Sequence, residues 1–331
     1  MITALELMMA ELSFEVLGWW LAITAAASLL SAFTYPLFCR WIADLSPSLQ
    51  SFARLVYAGS APVAALLSVV LVTQPALAGL VIPGHCHGDQ CGAHTPVYAQ
   101  DSAILLGLAV ASSLVILCSL LVLLWTLRRA RRQFRVLKVL TFGAAEGYRT
   151  VDTADMLACC VGLWKPQILL SRGLVDQLQP DELTIVLAHE RAHAERMDNL
   201  RALLLRWLTV FWPTALKQRA IKDSRTNAEQ ACDLAAARSV AESMQVASVI
   251  RKMSELCSSA ATSKKESRFG FDGEDVSTRL SALERCSGID RSPTSGWFKA
   301  IGGLTLSWCV QICVLTLVSH ELIEWLGSLA A

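Results

Sequence analysis

"SAILLGLAVASSLVILCSLLVLLWTLRRARRQFR", residues 102–135, decides the fold. Residues 102–127 contain no charged side chain. A helix needs roughly 20 apolar residues to cross the hydrocarbon core of a bilayer, so this run reads as a span. Five arginines follow within residues 128–135. A basic cluster beside a span holds that end on the inner side of the membrane. Working outward, three other runs are long enough to cross: residues 16–38, 55–82 and 301–319. Gln74-Pro75 would kink the second, and Gln311 interrupts the fourth. Before the first run stand Glu6, Glu11 and Glu15 rather than a basic segment, so it is expected to be an uncleaved span rather than a signal peptide.

Composition agrees with this reading. Of 331 residues 54% are hydrophobic and 17% charged. The net charge of +1 says little, whereas the placement of the charges says much. Of 29 Lys and Arg, only Arg40 and Arg54 precede Arg128, and none follows Lys299. The expected topology places both termini outside, the first connection inside, loop 83–101 outside and residues 128–299 inside. Three units follow: 1–127 with three spans, 128–299 as an inner domain, and 300–331 as a fourth span with a short outer tail. The 11 cysteines are odd in number. Cys159, Cys160, Cys232, Cys257 and Cys286 are expected inside and reduced. Cys39, Cys118, Cys309 and Cys313 are expected as small packing residues in or near spans.

Within the inner segment, "FRVLKVL" (134–140) is expected as a strand. "PQILLSRGLVDQL" (166–178) reads as a strand followed by a helix. Pro180, Asp181 and Glu182 suit a helix N-terminus, and that helix is expected to run through Asp198. "NLRALLLRWLTVFWPTALKQRA" (199–220) is amphipathic, either packed on the domain or lying at the membrane surface. Another helix is expected over residues 224–257. A polar loop over 258–277 and a short helix in "TRLSALERC" (278–286) follow.

"LAHERAHAERMDN" (187–199) contains H-E-x-x-H. On a helix His189 and His193 share a face and can converge on one metal, and Glu190 can reach a bound water. A catalytic zinc needs a third protein ligand. "NAEQACDLAAA" (227–237) offers Glu229, with Asp233 one turn on, in a run otherwise small and apolar. Buried acids there are costly unless they bind metal or accept hydrogen bonds. Glu229 is expected as the third ligand, and Asp233 as acceptor of an imidazole N–H that fixes its tautomer.

"GLWKPQILLSRGLVDQLQPDELTIVLAHERAHAERMDNLRALL" (162–204), with the Glu229/Asp233 pair and "TRLSALE", resembles the catalytic core of the BlaR/MecR-type antirepressor metallopeptidases. The resemblance implies a mainly α, polytopic membrane protein of the bacterial inner membrane. It would have four transmembrane helices and a cytoplasmic α+β, gluzincin-like zinc peptidase domain. It further implies one Zn2+ bound by His189, His193 and Glu229, Glu190 as general base, and Asp233 and Arg196 in support. The expected substrate is a cytoplasmic transcriptional repressor or similar regulator. Membrane lipids are expected partners, direct nucleic-acid binding is not, and homo-oligomerisation stays open. One departure is large. Family members that sense beta-lactams carry an outer penicillin-binding domain with a Ser-x-x-Lys nucleophile, and no lysine here has serine three residues before it. Direct acylation by these 331 residues is therefore not expected. Two other readings stand beside this one: an HtpX-like quality-control protease, and a non-catalytic receptor or scaffold. An intramembrane site-two protease fits less well, because Asp181, Glu182, Arg191, Glu195 and Arg196 give the motif helix a soluble character.

The loop "PGHCHGDQCGAHT" (83–95) holds three of the six histidines. His85, Cys86, His87, Cys91 and His94 there suit either a Cys86–Cys91 disulfide or a metal-sensing loop for zinc or copper.

Overall fold

The computed structural model describes residues 4–74, 77, 79, 81–82, 84–87, 90–92, 103–142, 147–261, 273–286 and 293–330. Four helical stretches are long and apolar enough to cross a membrane: Gly18–Trp41, Pro47–Val72, Ser113–Arg132 and Gly296–Leu322. They lie in α1 (Ala4–Trp41), in α2 (Pro47–Ala58) with α3 (Ser60–Thr73), in α4 (Ala103–Leu140) and in α11 (Pro293–Ala330).

The second stretch departs from the expected 55–82. It begins at Pro47, and the helix ends at Thr73, where Gln74 is extended. Arg54 therefore sits inside a helix rather than in a loop. It is buried, and Tyr35 and Gln50 accept from its guanidinium. Polar groups satisfied in this way can be accommodated in an apolar helix. Small residues let the helices approach closely: Ala27 on α1 meets Ala61, Ala64 and Ala65 on α3, with Leu315 of α11 alongside. Ser60 Oγ donates to Gln311 Oε1 at 3.1 Å, so the one polar interruption of the last run is answered by its neighbour. The Ser113–Arg132 window buries none of its residues and presents Leu114, Leu117, Leu121 and Trp125 outward. That is the surface a lipid-facing helix needs.

α4 does not stop at the arginines. It continues to Leu140, so residues 134–140 are helical rather than a strand. A short apolar run carries no period of its own, and the preceding helix extends through it. β3 (Thr141–Phe142) starts at the next residue. With β4 (Arg149–Val151), β5 (Ala158–Val161) and β6 (Gln167–Ser171) it forms a sheet of order β3-β4-β6-β5, in which only β4 and β6 are parallel. β5 is an edge. α5 (Arg172–Val175) follows β6 at once, capped by Ser171. Gly173 is obligatory there, because a Cβ would lie 2.4 Å from the Ala154 carbonyl oxygen.

The remaining helices are α6 (Pro180–Arg196), α7 (Asp198–Leu208), α8 (Thr214–Ser239), α9 (Ser243–Ala261) and α10 (Gly273–Cys286). α6 stops two residues short of the expected Asp198. The helix expected over 224–257 is two helices, α8 and α9, broken after Ser239. Leu170, Leu174, Val186, Val246 and Leu283 join sheet, α6, α9 and α10 in one core. A second core answers the two-way expectation for residues 199–220. Leu205, Trp212 and Ala220 pack against Tyr35 and Phe38 of α1, Ile42 of the following turn and Tyr57 of α2, with the Trp212 ring edge-on to Tyr35 at 5.3 Å. The amphipathic segment thus packs on the membrane helices themselves.

A short hairpin, β1 (His85–His87) with β2 (Gln90–Gly92), sets Cys86 opposite Cys91. The side chains of His85, Cys86, His87 and Cys91, and His94 altogether, lie outside the described residues, as does 262–272 of the polar loop.

Candidate metal centre

The motif helix is fixed by its first turn. The Gln179 N–H donates to Glu182 at 2.8 Å in a reciprocal capping box, and Pro180 opens the helix. α6 then runs unbroken past His189 and His193, which lie one turn apart on one face. α8 packs across that face and brings Glu229 and Asp233, likewise one turn apart.

Each imidazole is held from behind. His189 Nδ1 lies 2.9 Å from Asp233 Oδ1, and His193 Nδ1 lies 2.9 Å from Asp198 Oδ2. Burial alone would raise the Asp233 carboxyl. The hydrogen bonds from Arg279 and His189 outweigh it and hold the group below the usual carboxylate range. Asp198 follows the same pattern, with burial overcome by His193 and Arg196. A carboxylate only accepts, so each Nδ1 donates to it and each Nε2 faces the interior of the site.

The two Nε2 atoms face one another at 3.1 Å. Glu229 completes the ring, with Oε2 3.5 Å from His189 Nε2 and Oε1 3.7 Å from His193 Nε2. Ligand atoms of the three residues lie within 4.8 Å of one another. Two inward-facing imidazole nitrogens and a carboxylate at this spacing can hold a metal ion. Burial lowers the pKa of His189, yet the hydrogen bonds it donates to Asp233 and Glu229 push it up to about 10. The donor set of two imidazoles and one carboxylate fits a metal ion.

Arg279, on α10, makes two hydrogen bonds to Asp233 and stands 3.4 Å from Glu229 Oε2. Burial raises the Glu229 carboxyl, but His189 and Arg279 overcome it and hold the group well below the usual range. Glu190 is buried beside these groups, and burial raises its carboxyl in spite of the two histidines. A carboxyl tuned upward in this way is suited to taking up a proton.

A cavity of about 290 Å³ opens over this floor. Val246, Val249, Ile250 and Met253 give it an apolar wall, and β5 borders it with Ala158, Cys159 and Cys160. Burial, then the charge of Glu190, pushes both thiols up to about 12. They line the cavity as neutral groups. Cys232 forms another close trio with His193 and Asp198, but burial raises its thiol as well, so it donates to Asp198 at 3.7 Å.

The structure therefore brings His189, Glu190, His193, Glu229 and Asp233 to one place. Arg196 stands behind them, donating to Asp198 at 3.2 Å. Two contributors escaped sequence reasoning. Asp198 reaches back to His193 because Met197 takes the left-handed conformation (φ 54, ψ 42) and reverses the chain between α6 and α7. Arg279 arrives from 46 residues beyond Asp233. Its segment, "TRLSALE", carried part of the family resemblance but gave no sign of its partner.

Residues 92–247 match the family model of the BlaR1 peptidase, M56. No curated protein and no solved structure matches the chain. The matched segment runs from the end of the hairpin into α9. It takes in α4, the whole sheet and both helices that meet at the cavity, and the family is one of metallopeptidases. Apolar helices of membrane length stand on either side of that segment, and over residues 92–247 the chain is similar to the BlaR1-type membrane metallopeptidases.

Proposed function

We propose that the chain is a zinc endopeptidase of the bacterial cytoplasmic membrane that cleaves a cytoplasmic transcriptional repressor or similar regulator in response to a signal at the membrane. The observation that carries the reading is the inward pairing of the His189 and His193 Nε2 atoms, each with its Nδ1 held by a carboxylate, against Glu229. Two imidazoles and one Glu, with H-E-x-x-H on one helix and the Glu on another, form a gluzincin-like donor set that suits zinc.

His189, His193 and Glu229 would hold the ion, which would activate water as a nucleophile near neutral pH. Asp233 and Asp198 keep both imidazoles in the tautomer that binds. Glu190 takes the proton on its carboxylate and returns it to the amine nitrogen of the departing peptide. Its dry surroundings help it to hold that proton between the two events. β5, as a sheet edge bordering the cavity, can accept an extended substrate as an added strand. The apolar wall would take a hydrophobic side chain of that substrate.

Arg128, Arg129, Arg131 and Arg132 support a cytoplasmic position for the unit between α4 and α11, with both termini outside. In the outer hairpin, the register of Cys86 with Cys91 is compatible with a disulfide, and a metal-sensing role for His85, His87 and His94 is the competing proposal.

The test compares zinc content and cleavage for the purified full chain and its Glu190→Gln variant, using a candidate repressor or a generic protein substrate. Zinc should be retained and cleavage should fall by about 10²–10⁴-fold. Retained cleavage would overturn the mechanism. Retained signalling in cells without cleavage would instead favour the receptor reading.

A further inference from the structure

The metal centre is joined to the membrane helices by side chains as well as by the apolar seam. At the start of α2, Ser48 Oγ accepts from Arg196 Nη1 at 2.7 Å. Arg196 Nε donates to Asp198, which holds His193. Two residues further along α2, Gln50 Oε1 accepts from Asn227 Nδ2 at 3.0 Å. Asn227 is buried on α8, two residues before Glu229. Thus one turn of α2 touches the end of the helix that bears both histidines and the helix that bears the carboxylate.

Gln50 is itself held firmly. Its Nε2 donates to the carbonyls of Leu45 (2.8 Å) and Ala43 (3.1 Å), which lie in the turn between α1 and α2. Arg54 Nη1 donates to the same Oε1 at 3.2 Å, and Arg54 Nε to Tyr35 at 3.2 Å. The Tyr35 hydroxyl then donates to Asp223 on α8 at 3.0 Å. A guanidinium buried in an apolar helix persists only if its hydrogen bonds are met. Here they are met by residues that tie α1 and α2 to α8.

We propose that Ser48 and Gln50 are positioning residues of the metal centre. α2 sets the spacing of α6 and α8, and with it how well His193 and Glu229 share one ion. A shift of the α1–α2 corner would then alter metal affinity at the site. The inference rests on the metal-centre reading above and goes beyond it by assigning the membrane helices a part in ion binding.

The experiment uses the full chain in detergent, with Zn2+ affinity measured by competition with a chromogenic chelator. Direct partners of metal ligands change affinity by about 10–100-fold, so these residues, which act through Arg196 and Asn227, should change it less, by about 3–10-fold, in Ser48→Ala and Gln50→Leu. Ser48→Thr keeps the hydroxyl and should restore wild-type affinity. Ser48→Ala should add nothing in an Arg196→Met background, since the path would already be cut. Arg172→Met breaks the exposed 3.1 Å pair to Asp152, away from the α1–α2 corner, and should leave affinity unchanged. Ser48 is exposed, so its truncation leaves the fold intact and keeps the test decisive if Gln50→Leu unfolds. If both α2 variants bind zinc within twofold of wild type while His189→Ala abolishes binding, the positioning role fails and the metal centre stands. If His189→Ala binds as wild type does, the metal centre itself fails, and the inference with it.

Discussion

Arg279 grips both oxygens of Asp233, Nε to Oδ2 at 2.8 Å and Nη2 to Oδ1 at 2.7 Å, and both side chains are buried. Removing one member of a buried pair strands the other charge, at a cost of about 3–5 kcal/mol. Arg279→Met should therefore lower thermal stability sharply and weaken zinc binding by about 10–100-fold through His189. Arg279→Lys should recover only part of both, because an ammonium cannot reproduce the two-pronged contact. Melting curves and chelator competition read the two effects separately, and a fully stable Arg279→Met would contradict the role given to the pair.

Met197 is the only described non-glycine residue with positive φ. A side chain in that conformation costs about 1–2 kcal/mol, which glycine avoids at some entropic cost of its own. Met197→Gly should raise stability by about 0.5–1 kcal/mol while leaving zinc affinity unchanged. Met197→Val, β-branched, should lower both stability and affinity by displacing Asp198. A melt of the two variants side by side gives the sign directly.

Glu182 supplies a pH test away from the metal. Its carboxyl is lowered by the hydrogen bond from Lys252 at 2.5 Å, against a smaller opposing effect of burial, with help from the Gln179 N–H. A lowered native pKa means a contribution that is complete above the unfolded value, about 4.3, and lost as pH falls through the native one. Both side chains are partly exposed, so the contribution is about 0.5–1 kcal/mol. Glu182→Gln should lower the melting temperature by about 1–4 °C at pH 7. The gap should close as the pH is taken down past the Glu range, and a gap that widened in acid would reverse the assignment.

Asn199 Nδ2 donates to the carbonyls of Cys160 (2.9 Å) and Gly162 (3.2 Å), pinning the β5 edge to α7. If substrate adds to that edge, Asn199→Ala should raise KM for a peptide substrate by about 3–10-fold, the worth of one to two hydrogen bonds. Zinc content should stay at the wild-type level. Loss of zinc with unchanged KM would place the residue in the service of the metal instead.

Legibility in the sequence was uneven, for physical reasons. Spacing of four residues on a helix was enough to pair His189 with His193 and Glu229 with Asp233, because periodicity is a local property. Asp198 and Arg279 were not legible as partners, since their contacts depend on a left-handed methionine and on helix packing across 46 residues. The third and fourth runs lie within helices of membrane length. The second was displaced because Gln50 and Arg54 count against a span when seen alone, whereas in the structure their neighbours satisfy them.

The junction of α4 with β3 carries a different consequence. Leu140 ends the helix and Thr141 begins the strand, with no residue between. A helix turns by about 100° per residue, so adding or deleting one residue in α4 would swing its exit by that angle. β3 pairs with β4 and could not follow without breaking the sheet. What the sequence must preserve here is phase: the rotational setting of the membrane helix is locked to the sheet, and only insertions of whole helical turns would leave that setting nearly unchanged.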